Sequence, residues 1–485
     1  MHRRILQTSW FVLSIAIVTM LSTTSINAHA QPPIALHPEN PHYFLWRDKP
    51  TVLITAGEHY GALINNSFDY VPYLAELRRH GLNLTRTFSG TYLEIPDSFG
   101  ITDNPLSPNA THYIAPWATT DAPGRKDGGN KFDLTKWNEK YFERLRAFVA
   151  EASRAGVVVE FTLFCTIYDD NLWGVSPMNA ANNVNGIGTC PRQEVLRLAH
   201  DDLTQVQFAF ARKIANELRD ADNVIYEICN EPYIEECVSK EWQHAIVDVI
   251  VEEEKKLGVQ HLITMNIANR HAKIENPHPE VDVFNFHYAA PPVTVPMNFH
   301  LNKVIGDNET GFAGRDDVIY RVEAWDFMLA GGALFNHLDW SFTPGHPSGD
   351  LVDYSSPGGG SLALRQQLAT LKKFFEGFEF VKMAPNPALV TNLPEGISAQ
   401  VLAEPGKQYA VYLHTPMPPK PDSSNVQVTF NIELPAGSYL LAWLNPLTGT
   451  MSEPTELIHP GGACSLTTHE FKHDIALAIR TQKSN

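Results

Sequence analysis

Cysteine is scarce in this chain of 485 residues, which has five, at positions 165, 190, 229, 237 and 464. Their spacing lacks the paired pattern of a zinc site, and an odd number leaves at least one thiol free or intermolecular. Cys165 and Cys190 bracket one long loop and could close a disulfide; isolated buried thiols are the alternative. Basic residues are few as well: 37 Lys and Arg against 54 Asp and Glu give a net charge of -17. Such a balance disfavours nucleic acid and anionic membranes as partners and leaves neutral or cationic ligands open. After the first 30 residues no apolar run approaches a membrane span, so no stable membrane insertion is expected. No G-x-S-x-G elbow occurs, which argues against an esterase or other nucleophilic-serine hydrolase.

What is present suits a large exported protein. Hydrophobic residues make up 44% and aromatics 10%, ample for a sizeable core, and the length points to two domains. Residues 1–30 read as a signal peptide: Arg3 and Arg4, an apolar stretch from Trp10 to Leu21, then Ala28-His29-Ala30 as a small-x-small cleavage site. A secreted or periplasmic location follows as the expectation.

From residue 31 to 383 strands and helices alternate, the pattern of βα units on a parallel sheet. After an opening hairpin near HYFLWRDKPT, strands are expected at 52–56, 83–88, 157–164, 224–230, 262–266, 281–287, 303–307 and 333–339. Helices are expected at 68–80, 136–155, 194–219, 240–257, 317–330 and 362–375, with Gly81 and Gly156 as C-terminal stops. Two long loops, one from strand two to about Leu134 and one containing Tyr168, Trp173 and NAANNVNG, exceed what a connector needs. The segment between strands six and seven, with Pro291, Pro292 and Pro296, leaves little room for a full helix. From 384 to 485 the pattern changes to short alternating strands (ISAQVLAE, QYAVYLH, VQVTFNIEL, SYLLAWLN, DIALAI) separated by Pro, Gly and Asn, which reads as a β-sandwich. The expected fold is therefore α/β, a (β/α)8 TIM barrel with a small C-terminal all-β sandwich domain.

Two of the strands end on carboxylates. VIYEICNEPY stops at Asn230-Glu231-Pro232, and KVIGDNETG delivers Glu309. In a parallel barrel all strand carboxyl ends open on one face, so two distant glutamates can share a site. Arg86 ends LNLTRTF, His287-Tyr288 ends VDVFNFHY, and Trp340 ends GGALFNHLDW. Five such positions in this order resemble a clan A glycoside hydrolase of the family 5, cellulase-like type. AWLNPLTG resembles a W-x-N/D-P-x-T-G signature of small C-terminal domains that accompany such barrels, with structural support weighed above sugar binding.

The resemblance implies a retaining enzyme, with Glu231 as acid/base and Glu309 as nucleophile. Asn230 would bond the sugar 2-hydroxyl, and Arg86 would favour the ionised form of Glu309. Substrate contacts are also expected from His287, Tyr288, Trp340, His59 and Trp173. Because adjacent strand residues point to opposite faces, only one of His287 and Tyr288 is expected to face the nucleophile. Trp340 is expected to stack a sugar and offer its N-H to a hydroxyl, and Trp117 and Tyr168 are open as outer platforms or loop anchors. Asp169-Asp170 and Glu235-Glu236 read as solvated charge rather than metal ligands. The expectation is a secreted hydrolase of β-linked oligo- or polysaccharides, with no cofactor and with no oligomeric state implied. The alternative is a catalytically silent carbohydrate-binding protein on the same scaffold.

Overall fold

The computed structural model describes residues 31–420 and 423–482; the stretch read as a signal peptide lies outside the described residues. Residues from Pro32 onward form one compact unit. No helix among the described residues is long and apolar enough to cross a membrane.

Eight parallel strands form the central sheet: β1 (Leu53–Gly57), β2 (Leu84–Phe88), β3 (Val158–Cys165), β4 (Val224–Asn230), β5 (Leu262–Asn269), β6 (Val283–His287), β7 (Val304–Thr310) and β8 (Leu334–Leu338). Seven of the eight are buried along their whole length, β5 emerging only at its end. Parallel strands covered on both faces are expected to read as continuous rather than alternating apolar runs. The ladder runs in order from β2 through β3 to β8 and on to β1. At the β1–β2 seam one side chain stands in for a strand partner. Asn83 donates from Nδ2 to Val52 O at 2.9 Å and accepts the Ile54 N–H on Oδ1 at 3.0 Å.

Helices α1 (Tyr70–His80), α2 (Glu139–Ala155), α3 (Asp201–Leu218) and α4 (Lys240–Leu257) follow β1 to β4. As expected from the sequence, α1 and α2 stop at Gly81 and Gly156, whose φ values of 70° and 75° suit a residue without a Cβ. No helix follows β5, and only the short α5 (Thr294–Asn298) follows β6, in the proline-rich connection. Helices α6 (Asp317–Leu329) and α7 (Leu362–Glu376) complete the ring.

Beyond shifts of one to three residues at several strand and helix ends, the structure departs from the sequence expectation in its loops and in the second domain. The long loop after β2 contains an antiparallel hairpin, Trp117–Pro123 with Asn130–Trp137, so α2 starts at Glu139 rather than 136. Helix α3 begins seven residues later than 194, after a 3-10 turn at Arg192–Glu194. The sandwich has four more strands than the five expected, two of them only two residues long: Ala384–Pro385 on the edge of its six-stranded sheet and Val390–Thr391 on the edge of its three-stranded sheet.

That sandwich contains β9 (Ser398–Glu404), β10 (Gln408–His414), β11 (Thr429–Leu434), β12 (Gly437–Leu444), β13 (Thr455–His459), β14 (Gly462–Thr467) and β15 (Asp474–Thr481). Strands β13 and β14 are the longer unexpected ones. TELIH turns Leu457 toward the core and leaves Ile458 exposed, and GACSLT turns in only Cys464 and Leu466, so the apolar signal of each is weak. The six-stranded sheet has two covered faces. Tyr409, Val411 and Leu413 of β10 enter the sandwich core, while Ala410 and Tyr412 on the other face join the barrel core. There Tyr412 stacks on Trp325 of α6, with ring centroids 5.3 Å apart. Val411, Leu413 and Trp443 belong to the sandwich core, whereas Leu440 is half-buried outside it.

The junction also holds a bidentate ion pair. Arg321 Nε and Nη2 of α6 donate to the two oxygens of Asp474 at 3.0 and 2.8 Å, and both side chains are 2% exposed. Removing one partner of such a pair strands the other charge away from water. Arg321→Ala should therefore cost about 3–5 kcal/mol in urea unfolding; a loss under about 1 kcal/mol would show that Asp474 finds water or another donor.

Candidate active site

The carboxyl ends of the strands converge on a cavity of about 470 Å³ lined by Tyr60, Tyr168, Asn230, Glu231, Tyr288 and Glu309 among others. An oxygen of Glu231, an oxygen of Glu309 and a ring nitrogen of His287 lie within 4.8 Å of one another. Distance alone would let these three hold a metal ion. The carboxylate oxygens, however, already receive hydrogen bonds from tyrosines, and Arg86 supplies Glu309 with a cation.

Arg86 is fully buried beneath the two glutamates. Its Nε and Nη2 donate to Glu227 at 2.8 and 2.9 Å, Nη2 also to Asn230 Oδ1 at 2.6 Å, and Nη1 to Glu309 Oε2 at 3.1 Å. Glu309 accepts two further hydrogen bonds from phenols, Tyr60 at 2.8 Å on Oε2 and Tyr288 at 2.5 Å on Oε1, and His287 Nδ1 stands 3.6 Å from Oε1. Burial, and next the charge of Glu309, push both phenols up, so they stay protonated donors.

Glu231 is held through its backbone as well as its side chain. Asn266 Oδ1 accepts its N–H at 3.0 Å and Thr166 Oγ1 donates to its carbonyl at 2.6 Å. Its carboxylate accepts Tyr168 OH at 2.7 Å on Oε2 and faces His287 Nδ1 at 3.1 Å on Oε1. Burial acts to raise the Glu231 carboxyl, but the hydrogen bond and charge of His287, with Tyr168 and Arg86, hold it below the usual carboxylate range. Burial acts to lower His287, and Glu309 and Glu231 together raise it instead. The proton between them therefore rests toward the imidazole. Among the described residues His287 Nε2 has no hydrogen-bond partner, so the ring is oriented by the carboxylates on Nδ1 and by the edge-on rings of Tyr233 and Tyr288.

The structure brings together Glu231, Glu309, Asn230, Arg86, His287, Tyr288 and His59. His287 and Tyr288 both reach the glutamates, contrary to the expectation for adjacent strand residues. Strand β6 ends at His287, and Tyr288 takes φ 54°, which turns its side chain back to Glu309. Two tryptophans stand elsewhere. Trp340 is 2% exposed and its indole N–H goes to Gly311 O at 3.0 Å, so the N–H is not free for a sugar hydroxyl. His59 and Phe312 pack on it at 4.8 and 5.6 Å, and it is these two that line the cavity. Trp173 is likewise buried, its N–H given to Cys190 O at 3.0 Å, an anchor of its loop. Trp117 packs in the core against Phe210. All five cysteines are free and buried, so Cys165 and Cys190 are not joined.

Several site residues carried no signal in the sequence. Glu227 lies three positions before Asn230 in the same strand, inside the barrel, where its neighbours are Arg86, Thr162, Asn266 and Asn308. Glu94 and Phe312, on loops after β2 and β7, line the cavity. An inward period-2 position in β4 occupied by Glu was the one available cue for Glu227.

Solved structures share this arrangement of elements. A glycoside hydrolase of family 5 from Bacteroides vulgatus ATCC 8482 superposes with TM-score 0.61 at 14% identity, covering 93% of this chain and 94% of its own. The fold is shared with glycoside hydrolases. A second glycoside hydrolase gives TM-score 0.59 at 14% identity, with 94% and 98% covered. A variant of a family 5 mannosidase from Rhizomucor miehei gives 0.50 at 12%, with 71% of this chain and 99% of that one covered. No protein-family model and no curated protein matches the sequence.

Histidine titration followed by NMR tests the electrostatics directly. His287 should titrate above 6.5, while burial brings His59 down to about 4. The stabilising contribution of His287, raised on folding, is fully present below pH 6.5 and lost as pH rises through its folded value. His59 is lowered, so its contribution is lost as pH falls from 6.5 toward 4. A His287 that titrates below His59 would contradict the proton placement.

Proposed function

We propose that the protein is a retaining glycoside hydrolase, related to family 5, that cleaves β-glycosidic bonds in an oligo- or polysaccharide by double displacement. The observation that carries this reading is the approach of Glu231 and Glu309 oxygens to within 4.8 Å, with a guanidinium and two phenols on one carboxylate and an imidazole and a phenol on the other. Retaining glycosidases hold their carboxyls about 5–5.5 Å apart, whereas inverting ones leave about 6.5–9.5 Å for a water.

Glu309 is the nucleophile. Its oxygens sit among fixed donors, and the negative charge that leaves it on attack is replaced by a bond to the anomeric carbon. Glu231 is the acid/base. As the glycosidic oxygen displaces water from its side of the cavity, the proton shared with His287 passes through the carboxyl to the leaving oxygen. Glu231 then draws a proton from the water that releases the sugar. Asn230 Nδ2, which donates to Tyr168 OH at 2.8 Å, serves the sugar 2-hydroxyl. Residues 1–30 carry the further proposal that the enzyme is exported.

Glu309→Gln should abolish both cleavage and labelling by a 2-fluoro-glycoside. Glu231→Ala should lower turnover of substrates with poor leaving groups by about 10²–10⁴-fold. It should recover activity with azide when the leaving group is good. Near-native turnover in Glu309→Gln would overturn the nucleophile. NMR of the first product should show retained anomeric configuration; an initially inverted product would exclude double displacement.

The shared proton also sets a pH limit. The value of kcat/KM should fall on the alkaline side as pH rises through the Glu231/His287 pair, at a point above the ordinary imidazole value of 6.5. A limb below 6.5 would place the required proton on some other group.

A further inference from the structure

Glu94 lies on the long segment after β2, away from any strand end, yet its carboxyl is 4% exposed and lines the cavity. Asn104 clamps it. Asn104 Oδ1 accepts the backbone N–H of Leu106 at 2.9 Å, which fixes the amide so that Nδ2 donates to Glu94 Oε2 at 2.5 Å. With Oδ1 thus an acceptor, His59 Nδ1, 3.1 Å away, must carry a proton. Burial keeps His59 neutral, so its Nε2 presents a lone pair. That nitrogen stands 3.6 Å from Glu94 Oε1, too long for a hydrogen bond between them and short enough for both to hold one ligand atom.

This wall belongs to the Glu309 side of the cavity. Tyr60, next to His59, donates to Glu309 at 2.8 Å. Burial, with the charge of Glu309 adding, pushes Glu94 up to about 8. Glu94 and His59 thus share a cavity wall with Glu309, on the side that a sugar attacked by Glu309 would occupy. The cavity lining includes Glu94, Asp169, Glu231 and Glu309 and neither Lys nor Arg. Arg86 beneath them is already taken by Glu227, Asn230 and Glu309. A group seated on His59 Nε2 must donate a hydrogen bond, and an anion there would face the charges of Glu231 and Glu309 with no free cation among the described lining residues.

We propose that Glu94 and His59 are the specificity-determining pair of the sugar site, taking a hydroxyl or amino group of the residue that reacts with Glu309 and rejecting a carboxylate there. The inference rests on the glycosidase reading for its turnover arm and stands on sugar binding without it.

Two measurements on the full chain separate these. Binding of glucose, mannose, glucosamine and glucuronate by calorimetry should show at least one neutral or amino sugar bound and glucuronate bound roughly 100-fold more weakly or not at all. Cleavage of the matching 4-nitrophenyl β-glycosides should follow the same order. In Glu94→Gln, kcat/KM and affinity for the preferred sugar should fall by roughly 2–10-fold, the scale of one neutral hydrogen bond, and the gap to glucuronate should narrow. His59→Gln gives the same comparison if Glu94→Gln does not fold. Glucuronate bound as well as the others, no sugar bound, or an unchanged preference in the variants would overturn the proposal. Selective binding without any cleavage would instead count against the hydrolase reading and leave the recognition pair standing.

Discussion

A guanidinium with no exposure to solvent has to be surrounded by groups that replace water, and Arg86 dictates much of this barrel for that reason. Glu227 supplies the full opposing charge in bidentate geometry, and Asn230 and Glu309 take the remaining donors. Glu227 in turn accepts from Thr162, Asn266 and Asn308. Below it Glu160 accepts from Asn285 at 2.6 Å and from Asn308 at 3.2 Å, and burial, with Glu227 adding, pushes it up to about 7. The upper layer of the barrel interior is thus a continuous polar network where branched apolar side chains usually sit. Gly306 belongs to it by omission: a Cβ there would stand 2.2 Å from Asn285 Oδ1. Both glutamates at the mouth are tied to this network, Glu309 by Arg86 and the Glu231 backbone by Asn266.

The barrel was legible because its signals are periodic and local. Continuous apolar strands, amphipathic helices and glycine stops each occupy a few adjacent residues, and their alternation names the architecture. Strand-end residues such as Glu231 and Glu309 could be placed on one face by the same logic. What escaped depends on contacts between distant segments. Trp340 and Trp173 carry the right chemistry for sugar stacking, yet each spends its N–H on a backbone carbonyl and its ring on neighbours. Glu94 has no motif around it and becomes part of the cavity only because Asn104 and His59 hold it there. The hairpin at 117–137 was hidden for another reason: its first strand alternates polar and small residues, which resembles a loop.

The sandwich is joined to the barrel by a face, not by a tether. Ala410 and Tyr412 of β10, with Ala476 and Ala478 of β15, present small and flat side chains to α6 and α7, so the sheet approaches the helices closely. The Arg321–Asp474 pair and the Tyr412 hydroxyl, which also donates to Asp474 at 3.1 Å, sit inside that contact. An arrangement of this kind transmits no freedom of orientation to the barrel mouth, and the cavity residues are drawn from barrel elements alone.

Three of the side chains that meet at the cavity, Tyr60, Glu231 and Tyr288, sit on backbone with φ of 55°, 46° and 54°. Left-handed backbone at bulky residues costs roughly 1–3 kcal/mol each and persists only where surrounding contacts enforce it. Glycine at any of these positions would relieve that cost and at the same time delete a phenol or a carboxylate. At the buried Tyr60 the cavity left by a glycine would cost more than the relief, so it is packing around the mouth, against the preference of the backbone, that keeps these side chains where the chemistry needs them.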